Sequence, residues 1–188
     1  MNKIIRCEWA DSSKEMQQYH DNEWGKPVHN DRVHFEFLIL EAAQAGLSWS
    51  TVLKKRKGYK KAFANFDPIQ VSKFNSFKVK KLMDNSEIIR NELKIKSAIS
   101  NAVHFIKIQK EFGSFDAYIW GFVDNKPINH ELKTISQVPS ESDLSNKISK
   151  DLKKRGFRFV GSTIIYAYMQ AVGLINDHVT NCYCHKKC

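Results

Sequence analysis

The chain has 188 residues, about one domain's length and enough to bury a core without disulfides. An apolar fraction of 42%, with only 4 prolines and 8 glycines, excludes a disordered tail and the collagen-like or low-complexity classes. Thirty Lys and Arg against 20 Asp and Glu leave a formal net charge of +10, an excess that attracts polyanions, nucleic acid first among them.

The predicted elements are helical throughout. Phe35, Leu38, Ile39, Ala42 and Ala45 recur at three- and four-residue steps, and Gly46 ends that helix. Trp49, Val52 and Leu53 begin the next pattern, which Tyr59, Ala62, Phe63 and Phe66 continue. Asp67-Pro68 reads as an N-cap with proline in the first turn, followed by Val71 and Phe74. Val79, Leu82 and Met83 fit a short helix, and Ile95 to Ile106 a long one that ends near Gly113. A compact aromatic segment runs from Phe115 to Val123, and residues 124–138 read as an irregular connection. Ser140 or Ser142 caps a helix carrying Leu144, Ile148 and Leu152, stopped by Gly156. Val160, Ile164, Ala167, Tyr168, Ala171 and Val172 mark the last helix, ended by Gly173. Long β-alternating runs, repeats and linkers are absent, so the expected fold is all-α, in a single domain over 1–188.

No apolar run approaches the ~18 residues of a spanning helix. Met1–Arg6 carries two basic residues and no signal-like apolar stretch. A cytoplasmic protein with no membrane partner is expected, acting as a monomer.

Residues 153–161, Lys-Lys-Arg-Gly-Phe-Arg-Phe-Val-Gly, lie between the last two helices. A glycine-bearing turn there exposes backbone N–H groups to a phosphate, and Lys153, Lys154, Arg155 and Arg158 add salt-sensitive attraction. An ordinary solvated turn is the plain alternative. A second run, Lys54 to Lys61, holds six cations in eight residues. On a helix these cannot all face one way, so most are a solvated face.

The four cysteines, Cys7, Cys182, Cys184 and Cys188, sit at the two ends of the chain. That distribution suits termini that meet around a metal better than a disulfide framework. His178 and Cys182 are four apart, one helical face, and with Cys7 and His20 would make a Cys2His2 set suited to tetrahedral zinc. Cys182, Cys184, His185 and Cys188 form a rival set, and spacing leaves the choice open. Glu41 interrupts the apolar helix beside its inward stripe, so it is either an edge carboxylate in water or the acid of a pocket. Trp9, Tyr19 and Trp49 are ordinary core candidates that can also stack on a flat cationic ligand.

Four segments together resemble the bacterial 3-methyladenine DNA glycosylase I family, a branch of the helix-hairpin-helix glycosylases: Tyr19 to Gly25, Gln44 to Trp49, Leu152 to Phe157 and Gly173 to His178. The resemblance covers essentially the whole chain. It implies a compact helical helix-hairpin-helix fold whose N- and C-terminal segments are clipped by one structural zinc ion on Cys7, His20, His178 and Cys182. It implies a hairpin at about 153–161 that holds the DNA backbone, through Lys154, Arg155, Gly156, Phe157 and Gly161. Glu41 matches the acid that recognises the alkylated adenine, and Tyr19 and Trp49, with Trp9 nearby, match the aromatic walls. Met16 departs from the family, which commonly has an aromatic residue there. Asp177, 21 residues past Gly156, is not given the catalytic aspartate's role of other helix-hairpin-helix glycosylases. It is left to cap the final turn or to orient the zinc histidine.

The activity so implied is monofunctional hydrolysis of the N-glycosidic bond of 3-methyladenine in alkylated double-stranded DNA, leaving an abasic site for base excision repair. The base must leave the duplex to be reached. The alternatives are a non-enzymatic zinc-containing DNA-binding protein and a glycosylase for a different alkylated base.

Overall fold

In the computed structural model, which describes residues 4–187, the chain opens with a 3₁₀ turn at Glu8–Ser12 and a helix, α1 (Lys14–Asn22). The apolar periodicity of the sequence passes over α1. Its buried side chains are only Met16, Tyr19 and His20, too few for a repeating stripe, and Ser13 starts it by accepting the Met16 N–H.

Helix α2 (Asp31–Gln44) begins at Asn30, whose side-chain oxygen accepts the Arg32 and Val33 N–H groups. From His34 to Ala43 every residue except Glu36 is buried, the mark of a helix surrounded on all sides. Around it pack α3 (Trp49–Ala62), α6 (Glu92–Phe112), α7 (Phe115–Trp120) and α9 (Ser162–Ala171). Asp31 fixes α7 by accepting the Phe115 and Asp116 N–H groups, and Phe105 stacks on Phe115 with ring centroids 4.3 Å apart.

The pattern read as continuous from Trp49 to Phe66 breaks after Ala62. Ala64, Asn65 and Phe66 have φ between 51° and 57°, a left-handed turn that swings Phe63 and Phe66 into the core. Asp67 then caps α4 (Pro68–Val71) as the sequence indicates, and α5 (Ser76–Met83) precedes the long α6.

The connection after α7 is less irregular than expected. It holds β1 (Ile128–Asn129), which pairs in parallel with β2 (Ile175–Asn176). Two residues per strand leave no alternation to read. Ser142, not Ser140, caps α8 (Asp143–Lys154), in a capping box with Ser145. The last helix starts at Ser162, two residues after the apolar pattern begins, because Gly161 is its N-cap. Ile148, Leu152, Phe157, Val160 and Ile165 close the α8–α9 hairpin onto the core, each worth about 1.5–3 kcal/mol of burial. Beyond β2 the chain returns to its start, where the Tyr183 N–H donates to the Ile5 carbonyl. No described helix is long and apolar enough to cross a membrane.

Candidate active site and metal centre

Four elements converge on a cavity of about 300 Å³. Tyr19 comes from the end of α1, Glu41 from the last turn of α2, Trp49 from the start of α3, and Trp9 from the first 3₁₀ turn. Ser48 sets Trp49 in place by capping α3. Tyr19 and Trp49 have ring centroids 5.1 Å apart, and Trp9 meets Tyr19 at 6.3 Å. All four residues singled out in the sequence therefore share one wall system. The Trp49 Nε1 donor is buried without an acceptor among the described residues, so it is free for a ligand.

Glu41 is 4% exposed, which excludes the edge position in open water. No described residue hydrogen-bonds its carboxyl, and burial alone pushes its pKa up to about 8. The Tyr19 hydroxyl is held protonated by burial first and by Glu41 second. Such a pair gives an apolar, aromatic slot containing one acid whose charge is costly until a cation arrives.

Met16, where the sequence departs from the pattern it otherwise resembles, lines this cavity. Trp24, Gln44, Ile135, Val138, Ala167 and Gln170 also line it and were not read from the sequence as wall residues. Ala167 and Gln170 are three apart on α9, a signal that helical spacing carries. Ile135 and Val138 arrive on the long connection, for which spacing carries none.

Cys7, His20, His178 and Cys182 come together behind the cavity, all buried, with ligand atoms within 4.8 Å of one another. Cys182 Sγ lies 3.5 Å from both His20 Nε2 and His178 Nδ1, and Cys7 Sγ 3.6 Å from His178 Nδ1. Tetrahedral zinc, with bonds of about 2.3 Å to sulfur and about 2.0–2.1 Å to nitrogen, separates such atoms by about 3.5–3.6 Å. The second ring nitrogens are also placed for it. His20 Nδ1 lies 2.9 Å from Asp21, and His178 Nε2 3.1 Å from the Trp24 carbonyl, so each ring donates outward and turns a lone pair inward. The donor set fits the metal. His185 instead reaches the His130 carbonyl, Cys184 donates its N–H to Cys182 Sγ at 3.4 Å, and Cys188 lies outside the described residues. The cluster and the cavity share a wall, since Trp24 packs edge-on against His178 at 4.6 Å and Trp9 against His20 at 5.2 Å.

At the hairpin the structure redistributes the expected roles. The Gly156 N–H donates to Lys153, the Phe157 N–H to Leu152, and the Arg158 N–H to the Asn101 side chain. These donors are thus used inside the turn. Phe157 is a core side chain, 4% exposed. Arg155 is paired with Asp151 and Glu111 at 2.7 Å each and lies over Phe112 and Tyr118. Gly156 has φ +96° and sits against the His104 ring, where a Cβ would collide. Gly161 has open space at its Cβ position, and Lys153 and Lys154 are exposed.

Asp177 neither caps the final turn nor hydrogen-bonds the His178 ring, whose Nε2 faces the Trp24 carbonyl. Its fully buried carboxylate accepts from His130, Tyr166 and Gln170.

Comparison with known proteins gives this geometry a family. A model of the methyladenine glycosylase family matches residues 9–185. The chain belongs to that family. It is 43% identical over 180 residues to DNA-3-methyladenine glycosylase 1 of Escherichia coli, covering 96% of each chain. It is 42% identical to the DNA-3-methyladenine glycosylase of Haemophilus influenzae, covering 95% of this chain and 97% of that one. A crystal structure of a 3-methyladenine DNA glycosylase I superposes with a TM-score of 0.94 at 44% identity, covering 96% of this chain and all of the other. A variant of 3-methyladenine DNA glycosylase I, solved in complex with 3-methyladenine, superposes with a TM-score of 0.92 at 31% identity, covering 95% of this chain and 96% of the other. The methyladenine glycosylase fold is thus carried over essentially the whole described chain.

Proposed function

We propose that this methyladenine glycosylase hydrolyses the N-glycosidic bond of 3-methyladenine in alkylated double-stranded DNA, releasing the base and leaving an abasic site for base excision repair. One observation carries the proposal: a buried, unpartnered Glu41 carboxyl faces an aromatic slot built by Tyr19 and Trp49. A module that only holds the DNA backbone has no use for such a slot. Methylation at N3 makes the adenine of the lesion cationic, so the base departs neutral as the bond breaks and needs little protonation. The protein flips the nucleotide, strips water from the ring and holds it between Tyr19 and Trp49, with Trp9 alongside. Ionised Glu41 accepts hydrogen bonds from the base and favours its charged form, and close to the sugar it also stabilises developing positive charge. Water is the nucleophile. Among the described residues no lysine lines the cavity, so no imine forms and the strand is not cut.

Duplex DNA lies along the 153–161 hairpin in this proposal. Lys154 supplies phosphate attraction, and the backbone from Gly161 into the first turn of α9 supplies the N–H groups. Leu47 is 43% exposed at the tip after Gly46, on the lip beside Glu41. An apolar side chain there suits the gap that an extruded base leaves in the stack. One zinc ion held by Cys7, His20, His178 and Cys182 would clip the two ends of a single 1–188 domain. With four protein ligands it has no open position, and its chemistry is structural. The cavity is complete within one chain, consistent with a monomer.

The test is chromatography of bases released from methylated duplex DNA by wild type and by Glu41→Gln. Wild type releases 3-methyladenine and the variant releases it at least tenfold more slowly. A folded wild type that releases none refutes the proposal, and an undiminished variant refutes the role of Glu41.

A further inference from the structure

The base cavity has a second polar wall whose orientation is fixed from behind. Asp177 is fully buried. Its Oδ1 accepts from His130 Nδ1 at 2.6 Å, and its Oδ2 from the Tyr166 hydroxyl at 2.7 Å and Gln170 Nε2 at 2.8 Å. The β1–β2 ladder brings these partners together, because the His130 N–H donates to the Asn176 carbonyl at 3.1 Å. On α9, Tyr166 and Gln170 are one turn apart, and Gln170 with Ala167 lines the cavity. The Gln170 amide turns its NH2 toward Asp177. With that N–H engaged, the acceptor the amide keeps is its carbonyl oxygen.

We propose that Gln170 is a specificity-determining residue of the base pocket, held by Asp177 so that its amide oxygen accepts an N–H from the exocyclic amine of the bound adenine. This rests on the base-pocket reading above. Charge does not separate adenine from guanine, but the edge of the base does, and the adenine amine has two N–H groups, one for Glu41 and one for Gln170. Guanine carries a carbonyl oxygen where adenine carries its amine, and that oxygen meets the Gln170 oxygen with no proton between them. Asp177 is the positioning residue, and His130 and Tyr166 hold its carboxylate in place.

The experiment compares release of 3-methyladenine and 3-methylguanine from one methylated duplex by wild type, Gln170→Leu, Asp177→Asn and the double variant, each checked for folding by circular dichroism. Wild type favours 3-methyladenine. Gln170→Leu lowers its kcat/KM about tenfold and narrows the preference, the scale of one lost hydrogen bond. Asp177→Asn, with nitrogen in place of Oδ2, donates to Gln170 and turns its amide round. The ratio then moves about tenfold toward 3-methylguanine, a shift that a loss of stability alone does not produce. On the Gln170→Leu background, Asp177→Asn moves the ratio no further. A folded Gln170→Leu with the wild-type ratio overturns the inference, as does a folded Asp177→Asn with that ratio. If Asp177→Asn does not fold, Gln170→Leu decides alone. A wild type that releases neither base overturns the pocket reading and this inference with it, whereas an active wild type with an indifferent Gln170→Leu overturns the inference only.

Discussion

At Glu41 the protein places a carboxyl where water cannot solvate its charge, and the consequence is a pH dependence of known sign. Burial raises the pKa from 4.5 to about 8, so the free protein near neutrality holds this group largely protonated. A fixed cation in the slot favours the ionised form. With Glu41 as the pocket acid proposed above, productive binding of the lesion would be linked to loss of its proton. The expected outcome is that kcat/KM for 3-methyladenine release rises up to tenfold per pH unit below about 8 and levels above it. Glu41→Gln, whatever its residual rate, loses that slope. Stability runs the other way. A raised folded pKa contributes stability that is complete below about 4.5 and is lost as pH rises through about 8. The loss is on the order of 5 kcal/mol at most, at about 1.4 kcal/mol per pH unit of separation. Thermal melts of the free protein at pH 9 should place Glu41→Gln above wild type, with the difference vanishing near pH 4. The sequence put Glu41 beside an inward stripe but left its exposure open. Burial depends on α1 and α9 closing over α2, which no local pattern encodes.

Among the elements, the α8–α9 hairpin separates charge that is free from charge that is used. Lys154 ends α8 in the open, whereas Arg155 is fixed by Asp151 and Glu111 over two aromatic rings. Lys154→Ala should weaken duplex binding evenly across sequences and reduce the slope of log K against log salt by about 0.9, one released counterion. Arg155→Ala should leave that slope unchanged and cost about 1 kcal/mol of folding stability through its lost pairs and ring packing. Fluorescence anisotropy on unmodified duplex at several salt concentrations, with urea unfolding, distinguishes them; a wild-type slope in Lys154→Ala would remove Lys154 from the interface. The helices here were legible because Leu152 and Ile148 repeat at helical spacing and Gly156 must take φ +96°. The pairing of Arg155 was not, since Glu111 comes from α6, 44 residues away. Similarly, α1 carries too few apolar residues to show a period, and β1 and β2 are two residues each.

For the whole molecule, the decisive arrangement is the return of the C-terminal segment to the N-terminal one. Cys7 meets His178 across 171 residues, and Cys182 meets His20 across 162. The sequence offered two rival ligand sets at the chain ends, and only the folded chain brings Cys7 and His20 against His178 and Cys182. Closing so long a loop removes much freedom from the unfolded chain, and a metal held by four ligands from both ends would make its binding part of folding. The same ligands support the pocket, because Trp9 and Trp24 pack on their imidazoles while lining the cavity. Cys7→Ser should accordingly abolish stoichiometric zinc by elemental analysis and lower stability by several kcal/mol. Its affinity for free 3-methyladenine, followed by tryptophan fluorescence, should fall with the metal content. Cys184→Ser should keep a full equivalent of zinc, because the Cys184 contact with Cys182 Sγ runs through its backbone N–H. Full zinc in Cys7→Ser would remove it from the ligand set. A zinc-free variant with wild-type base affinity would show that the clip and the pocket are independent, contrary to the wall they share.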